Sequence, residues 1–207
     1  SKGLVKFDLS KNKPMPFNNF SLSGIYTSHC LEHLTDKQVK FVLKESFRIL
    51  KNKATLRIVL PDMKMMFDAF DQRDATYLEE FREKQSLRSN YLWGYDSWLR
   101  LITRSFAGHI VDKFSDAELE RMYKDLDRNQ FINEILKHEE FTPSYRFIPN
   151  VHKSYWDYEK LKIILLGLGF TQVNLSKRHR SMDKIMRNRT LFDNTNPKRS
   201  FYLEAIK

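Results

Sequence analysis

The chain has 207 residues, 41% of them apolar, and its 36 Lys and Arg against 26 Asp and Glu give a formal charge of +10. That length suits one globular domain with a sizeable core, and no run approaches the roughly 20 consecutive apolar residues a membrane span needs. A lone cysteine, Cys30, excludes an internal disulfide and fits no zinc-ligand spacing, so the chain reads as a soluble, cytoplasmic domain from a reducing compartment.

Taken in order, Val5 to Leu9 reads as a short strand ending near an acid, Asp8, and a polar loop with Pro14 and Pro16 follows. Gly24 to Ser28 is a second strand. Thr35-Asp36-Lys37-Gln38 is a capping box, and Val39, Val42, Leu43, Ser46, Phe47 and Leu50 recur behind it at helical spacing, predicting a helix from about Asp36 to Lys51 with Asn52 as a left-handed stop. Thr55 to Leu60 is a nearly continuous apolar strand closed by Pro61-Asp62. Strand, helix, strand with short links is a parallel crossover unit.

Residues from about 63 to 150 read as a helical insertion, with a second capping box at Ser115-Asp116-Ala117-Glu118. Leu161, Ile164, Leu165 and Leu168 form a further helical stripe closed by Gly169. Phe170 to Leu175 and Ser200 to Ile206 then read as an antiparallel pair of strands. Between them, eight Lys or Arg stand against two acids, Asp183 and Asp193, a net of +6. This connection reads either as a solvated basic loop or as a clamp for an acidic or phosphorylated small molecule. Nucleic acid is the weaker partner, because His179 and Phe192 are the only aromatic side chains interleaved with those cations.

Several of these segments resemble, in order, the class I S-adenosylmethionine-dependent methyltransferases. The resemblance is carried by Asp8-Leu9, Pro16-Phe17-Asn18-Asn19-Phe20, the run from Ile25 through Ser28-His29-Cys30-Leu31-Glu32-His33-Leu34, Glu45 to Lys51, and Leu56 to Asp62. The likeness is closest to small bacterial-type members with an SHxLEHL segment after the fourth strand. It extends to the tail through His152 to Tyr158, Leu168-Gly169-Phe170, Phe192-Asp193 and Ser200 to Ala205. It implies an α/β, Rossmann-like methyltransferase sheet, parallel with an antiparallel last strand, in a single domain with the insertion at about 63–150.

The same resemblance implies S-adenosylmethionine as cofactor, with Asp8, Leu9, Ser28, His29, Leu31 and Glu32 as its contacts. His33 is then the candidate general base, and His152, Tyr155, Trp156, Arg178 and Arg180 face the substrate. Trp93, Trp98 and His109 are assigned to a lid. The implied reaction is methyl transfer to an oxygen or nitrogen of a small acidic or sugar-containing molecule, an in-line displacement that chiefly needs positioning. A non-catalytic scaffold of the same fold is the alternative.

No metal site is expected, since His29 and His33 lack a third ligand in a recognisable pattern. Two departures from the family pattern stand out. Asn52-Lys53-Ala54 occupies a turn where glycines are usual, and no glycine-rich strand-to-helix turn stands upstream of Asp8. The expectation is therefore a sheet missing its first strands by N-terminal truncation, with its open edge otherwise covered by a homodimer partner.

Overall fold

The computed structural model describes residues 5–77, 79–80, 98–138 and 152–207, which fall into two compact units, one of residues 1–61 and 156–207 and the other of residues 62–155. Trp93 lies outside the described residues.

The first unit is a four-stranded sheet of order β1-β2-β4-β3, formed by β1 (Leu22–Ser28), β2 (Leu50–Pro61), β3 (Gln172–Ser176) and β4 (Ser200–Ile206). β1 and β2 run parallel, with Ile25 opposite Leu56 and Ser28 opposite Val59. They are joined by α1 (Asp36–Ile49), whose Thr35 and Gln38 make the reciprocal capping box expected from the sequence. β4 runs antiparallel to both β2 and β3. Strand, helix, strand and the final antiparallel pair thus stand as the sequence predicts.

Two of these readings differ. Residues 5–8 form no strand, and Leu9–Lys11 is a 3-10 turn capped by Asp8; without a paired neighbour the run has nothing to bond its backbone to. Helix α1 gives way to β2 at Leu50, which is already extended, so Asn52 is not a left-handed stop. The left-handed residue is Lys53, at φ 64°, with its N–H donating to the Lys207 carbonyl at 2.8 Å.

The two faces of the sheet are covered differently. Leu56, Ile58, Leu203, Ala205 and Val173 form one apolar face, packed with Val39, Val42 and Leu43 of α1 and with Leu161 and Leu165 of α6 (Tyr158–Gly167). Gly169, at φ 103°, ends α6 against the Phe47 ring, where a Cβ would meet Cζ at 2.9 Å. On the other face Tyr26, Arg57 and Glu204 stand side by side in register. The basic connection 177–199 folds back onto them.

Arg57 has no exposed side-chain surface, and its guanidinium uses all five N–H donors. Nε and Nη2 grip Asp193 at 3.1 and 2.7 Å. Nη1 reaches Ser176 Oγ at 3.1 Å and Glu204 Oε1 at 3.0 Å, and Nη2 also meets the Lys177 carbonyl at 2.9 Å. Burial alone would lower the Arg57 pKa, but Asp193 and Glu204 hold it above its ordinary value. Asp193 further accepts the His179 N–H at 2.7 Å, and its own N–H donates to the Tyr26 hydroxyl at 2.8 Å. Glu204 accepts the Met182 N–H at 2.9 Å and the Ser181 hydroxyl. Gly24 leaves room for Met186, whose Cε would lie 2.8 Å from a Cβ there.

The second unit contains α2 (Met63–Asp71), α3 (Trp98–Ala107), α4 (Asp116–Asp125) and α5 (Arg128–Leu136). The Ser115–Glu118 capping box forms as predicted, and Asp127 with Gln130 makes another. Phe67, Phe106, Leu119, Phe131 and Ile135 are its buried centre. Tyr123 stacks on Phe67 at 5.8 Å and gives its hydroxyl proton to Asp71 at 2.8 Å, while Arg128 bridges Asp68 and Asp71. Burial, then Asp71, pushes the Tyr123 phenol up to about 12.

Replacing Arg57 with Ala leaves two buried carboxylates without a counter-charge, so urea denaturation is expected to show a loss of about 3–5 kcal/mol. A loss below about 1 kcal/mol contradicts that account. Tyr123, neutral in the fold, supports stability fully below its unfolded pKa of 10.0, and that support fades as pH rises from there through about 12. Tyrosinate absorbance should thus lose its last-ionising component in Tyr123→Phe; an unchanged titration contradicts the assignment.

Candidate functional site

The carboxyl ends of parallel strands are where open α/β sheets build ligand crevices. At that end of β1 the chain turns sharply at His29, which takes the left-handed conformation at φ 47° and donates its N–H to the Val59 carbonyl at 2.9 Å. Leu31–His33 then makes a single 3-10 turn before α1 begins. Glu32 is buried at 3% exposure.

A cleft of about 490 Å³ runs along β1 to this turn. Its lining is mostly apolar. Ile25, Leu31, Val42, Leu43 and Leu56 supply floor and walls, Ser28 and Cys30 stand near the strand end, and Leu9, Met15 and Phe17 form the roof. Burial raises the Cys30 thiol pKa, the Glu32 carboxylate raises it further, and a hydrogen bond with Thr27 offsets part of the rise.

The roof is held by α1. Arg48 donates to the carbonyls of Met15 at 3.0 Å and Phe17 at 2.9 Å, to Asn19 Oδ1 at 2.8 Å, and to both oxygens of Glu45. Glu45 in turn accepts the Met15 N–H at 2.7 Å. The Arg48 guanidinium is the main reason that the Glu45 carboxyl titrates below its ordinary value, against a smaller opposing effect of burial. Although Glu45 to Lys51 carries part of the resemblance, nothing in it signals a clamp, because an Arg three positions after a Glu on a helix usually marks a solvated pair.

Of the six expected cofactor contacts, Leu9, Ser28 and Leu31 line this cleft. Asp8 is beside it in the chain but exposed, and it caps the Leu9–Lys11 turn through the Ser10 N–H at 2.9 Å and hydroxyl at 2.7 Å. Those two bonds lower its pKa. His29 and Glu32 pair with each other, Nδ1 to Oε1 at 3.3 Å, and His29 Nε2 meets Ser200 Oγ at 2.8 Å. His33, the expected base, is half-buried at the end of its turn, with its N–H on the Cys30 carbonyl at 3.2 Å.

The expected substrate residues are distributed between the two units. His152 meets the Ser105 carbonyl and Tyr155 packs edge-on to Phe106 at 6.0 Å, both within the helical unit, as is the exposed His109 beside Asp112. Trp156 is buried in the sheet unit, with Lys160 Nζ 4.1 Å above its ring. Arg178 turns onto its own loop, donating to the Asp193 carbonyl at 3.2 Å, and Arg187 does the same to the Ser181 carbonyl at 2.6 Å. Arg180 and Arg189 are exposed.

No protein-family model matches the chain, and no curated protein matches it. Among solved structures, the crystal structure of a SAM dependent methyltransferase from Archaeoglobus fulgidus aligns at 14% identity and a TM-score of 0.43. The alignment covers 98% of this chain and 66% of that one, so the chain spans just under two thirds of the neighbour's length. No helix among the described residues is long and apolar enough to cross a membrane.

The Glu45 clamp should be fully formed above the ordinary Glu value of 4.5 and weaken as pH falls below it, through the lowered pKa of the folded chain. In Glu45→Gln, trypsin should cut after Lys11 several times faster than in the parent at neutral pH. Equal cleavage rates mean that the clamp does not hold the roof.

Proposed function

We propose that the chain carries the adenosyl side of the cofactor pocket of an S-adenosylmethionine-dependent methyltransferase. One observation carries this reading: Leu9, Ser28 and Leu31, expected as cofactor contacts from separate stretches of sequence, meet in a single apolar cleft. An apolar slot with a few polar groups at its end suits a flat purine, whose faces need apolar contact and whose edge needs hydrogen bonds. The Leu9 amide and Asp8 are the polar groups offered from the roof, and the Ser28 hydroxyl, buried without a partner among the described residues, is another.

The acceptor is proposed to be an oxygen or nitrogen of a small acidic or sugar-containing molecule. Arg180, exposed on the turn after β3, is the cation best placed to meet an anion, since Arg178 and Arg187 are committed to backbone carbonyls. β3 ends, and β4 begins, at the same end of the sheet as the carboxyl ends of β1 and β2, because Ser176 pairs with Tyr202 and Pro61 with Ser200. His33 is the proposed base for a hydroxyl acceptor.

Cys30 reports on occupancy. Its raised pKa should make alkylation by iodoacetamide slow at pH 7, and adenosine or S-adenosylhomocysteine in the cleft should slow it further. With no glycine-rich turn in the sequence to hold the methionine end, both ligands are expected to protect with similar dissociation constants of roughly 0.1–1 mM, about 4–5.5 kcal/mol. Alkylation that is unaffected by several millimolar adenosine removes the reading.

A further inference from the structure

Ser200, at the start of β4, meets His29 and Glu32 of the turn after β1 at the carboxyl end of that strand. Ser200 Oγ is 2.8 Å from His29 Nε2, across 171 residues of sequence. His29 Nδ1 is 3.3 Å from Glu32 Oε1, and the Glu32 side chain is 4% exposed. Neither Glu32 oxygen has a hydrogen-bond partner among the described residues, so Glu32 meets the ring by proximity and charge rather than by an aligned hydrogen bond. A buried carboxylate beside one imidazole nitrogen favours the proton on that nitrogen, Nδ1, which leaves the Nε2 lone pair facing the serine.

We propose that these residues form an acyl-transfer site, with Ser200 as nucleophile, His29 as its base and Glu32 as the buried carboxylate whose charge supports the protonated ring. The substrate class is a small ester or thioester. Ser200 Oγ bonds to the acyl carbon as its proton passes to His29 Nε2. The alkoxide or thiolate then leaves with that proton, and water repeats the sequence to free the acid and restore the serine. The Glu32 carboxylate lies beside the imidazolium that forms.

Ser200 Oγ also lies 2.9 Å from the Asn196 carbonyl and 3.4 Å from that of Thr195. Rotation of the hydroxyl hydrogen alone moves it between Asn196 and His29, with Oγ fixed. The left-handed backbone at His29 costs of order 1 kcal/mol, and strain of this kind gathers where a side chain must be aimed. Side-chain exposure of 12% at His29 leaves the ring edge within reach of a ligand.

The test uses the whole chain, a fluorophosphonate probe and p-nitrophenyl acetate. Peptide mass spectrometry should place the phosphonate on Ser200. Ser200→Ala and His29→Gln should abolish both adduct and ester hydrolysis, and Glu32→Gln should slow labelling by about 10²-fold or more. Because a substitution could disturb the rim, a Ser200→Cys variant gives a second readout: at pH 7 iodoacetamide should alkylate the introduced thiol, resolved from Cys30 by peptide mass spectrometry, at least tenfold faster with His29 present than with His29→Gln. No adduct on Ser200, or equal rates with and without His29 in either assay, overturns the proposal. The phosphonate adduct and ester hydrolysis report on Ser200 and not on Cys30 in the cleft, so the methyl-transfer reading, tested by Cys30 protection in the parent chain, stands or falls separately.

Discussion

The Arg57 guanidinium is the group on which the sheet unit depends. It sits in the middle of the central parallel strand with no exposed side-chain surface, and water can reach none of its five donors. Each must therefore find an acceptor in the protein, and the acceptors come from the end of β3, from β4 and from the connection between them. A long basic connection is in this way folded onto the second face of the sheet, where a doubly wound fold would place helices. Its cations repel one another, but two carboxylates anchor it, one in the connection at Asp193 and one in the sheet at Glu204.

That arrangement explains what could be read from the sequence and what could not. The capping boxes at Thr35 and Ser115, the stripe closed by Gly169 and the apolar run at Thr55 to Leu60 are local signals, decided by residues within a turn or two of one another. All four appear where expected. Arg57 gave no such signal, since its acceptors lie more than 100 residues away and an Arg within an apolar strand has the same letters whether buried or at an edge. The connection from Lys177 to Arg199 was legible as charged but not as covering, because net charge says nothing about which two acids are buried.

The candidate site divides along the same line. Leu9, Ser28 and Leu31 were found through their order in the chain and do meet in one cleft. The clamp that makes the cleft, Arg48 with Glu45, was invisible because it looks like an ordinary pair on a helix surface; what distinguishes it is the ring of backbone carbonyls at 15 and 17. Val5 to Leu9 failed as a strand for a related reason. Strand propensity requires a neighbour to become a strand, whereas a 3-10 turn needs only its own Asp8 cap.

The turn after β1 shows how a short stretch can serve two surfaces. A left-handed residue at His29 breaks the strand's alternation, so that Leu31 lines the apolar cleft while the His29 ring lies between Ser200 and Glu32. A residue continuing in the extended conformation would have carried the chain past the sheet and separated those groups. Burying the Glu32 carboxylate is costly, and the His29 ring 3.3 Å away can offset that cost by its charge when it carries a proton. A rim built only to pack would be more stable with an apolar residue at 32. Retaining an acid there, behind a histidine that itself meets a serine, is the arrangement expected where protons are to be moved rather than where a core is to be filled.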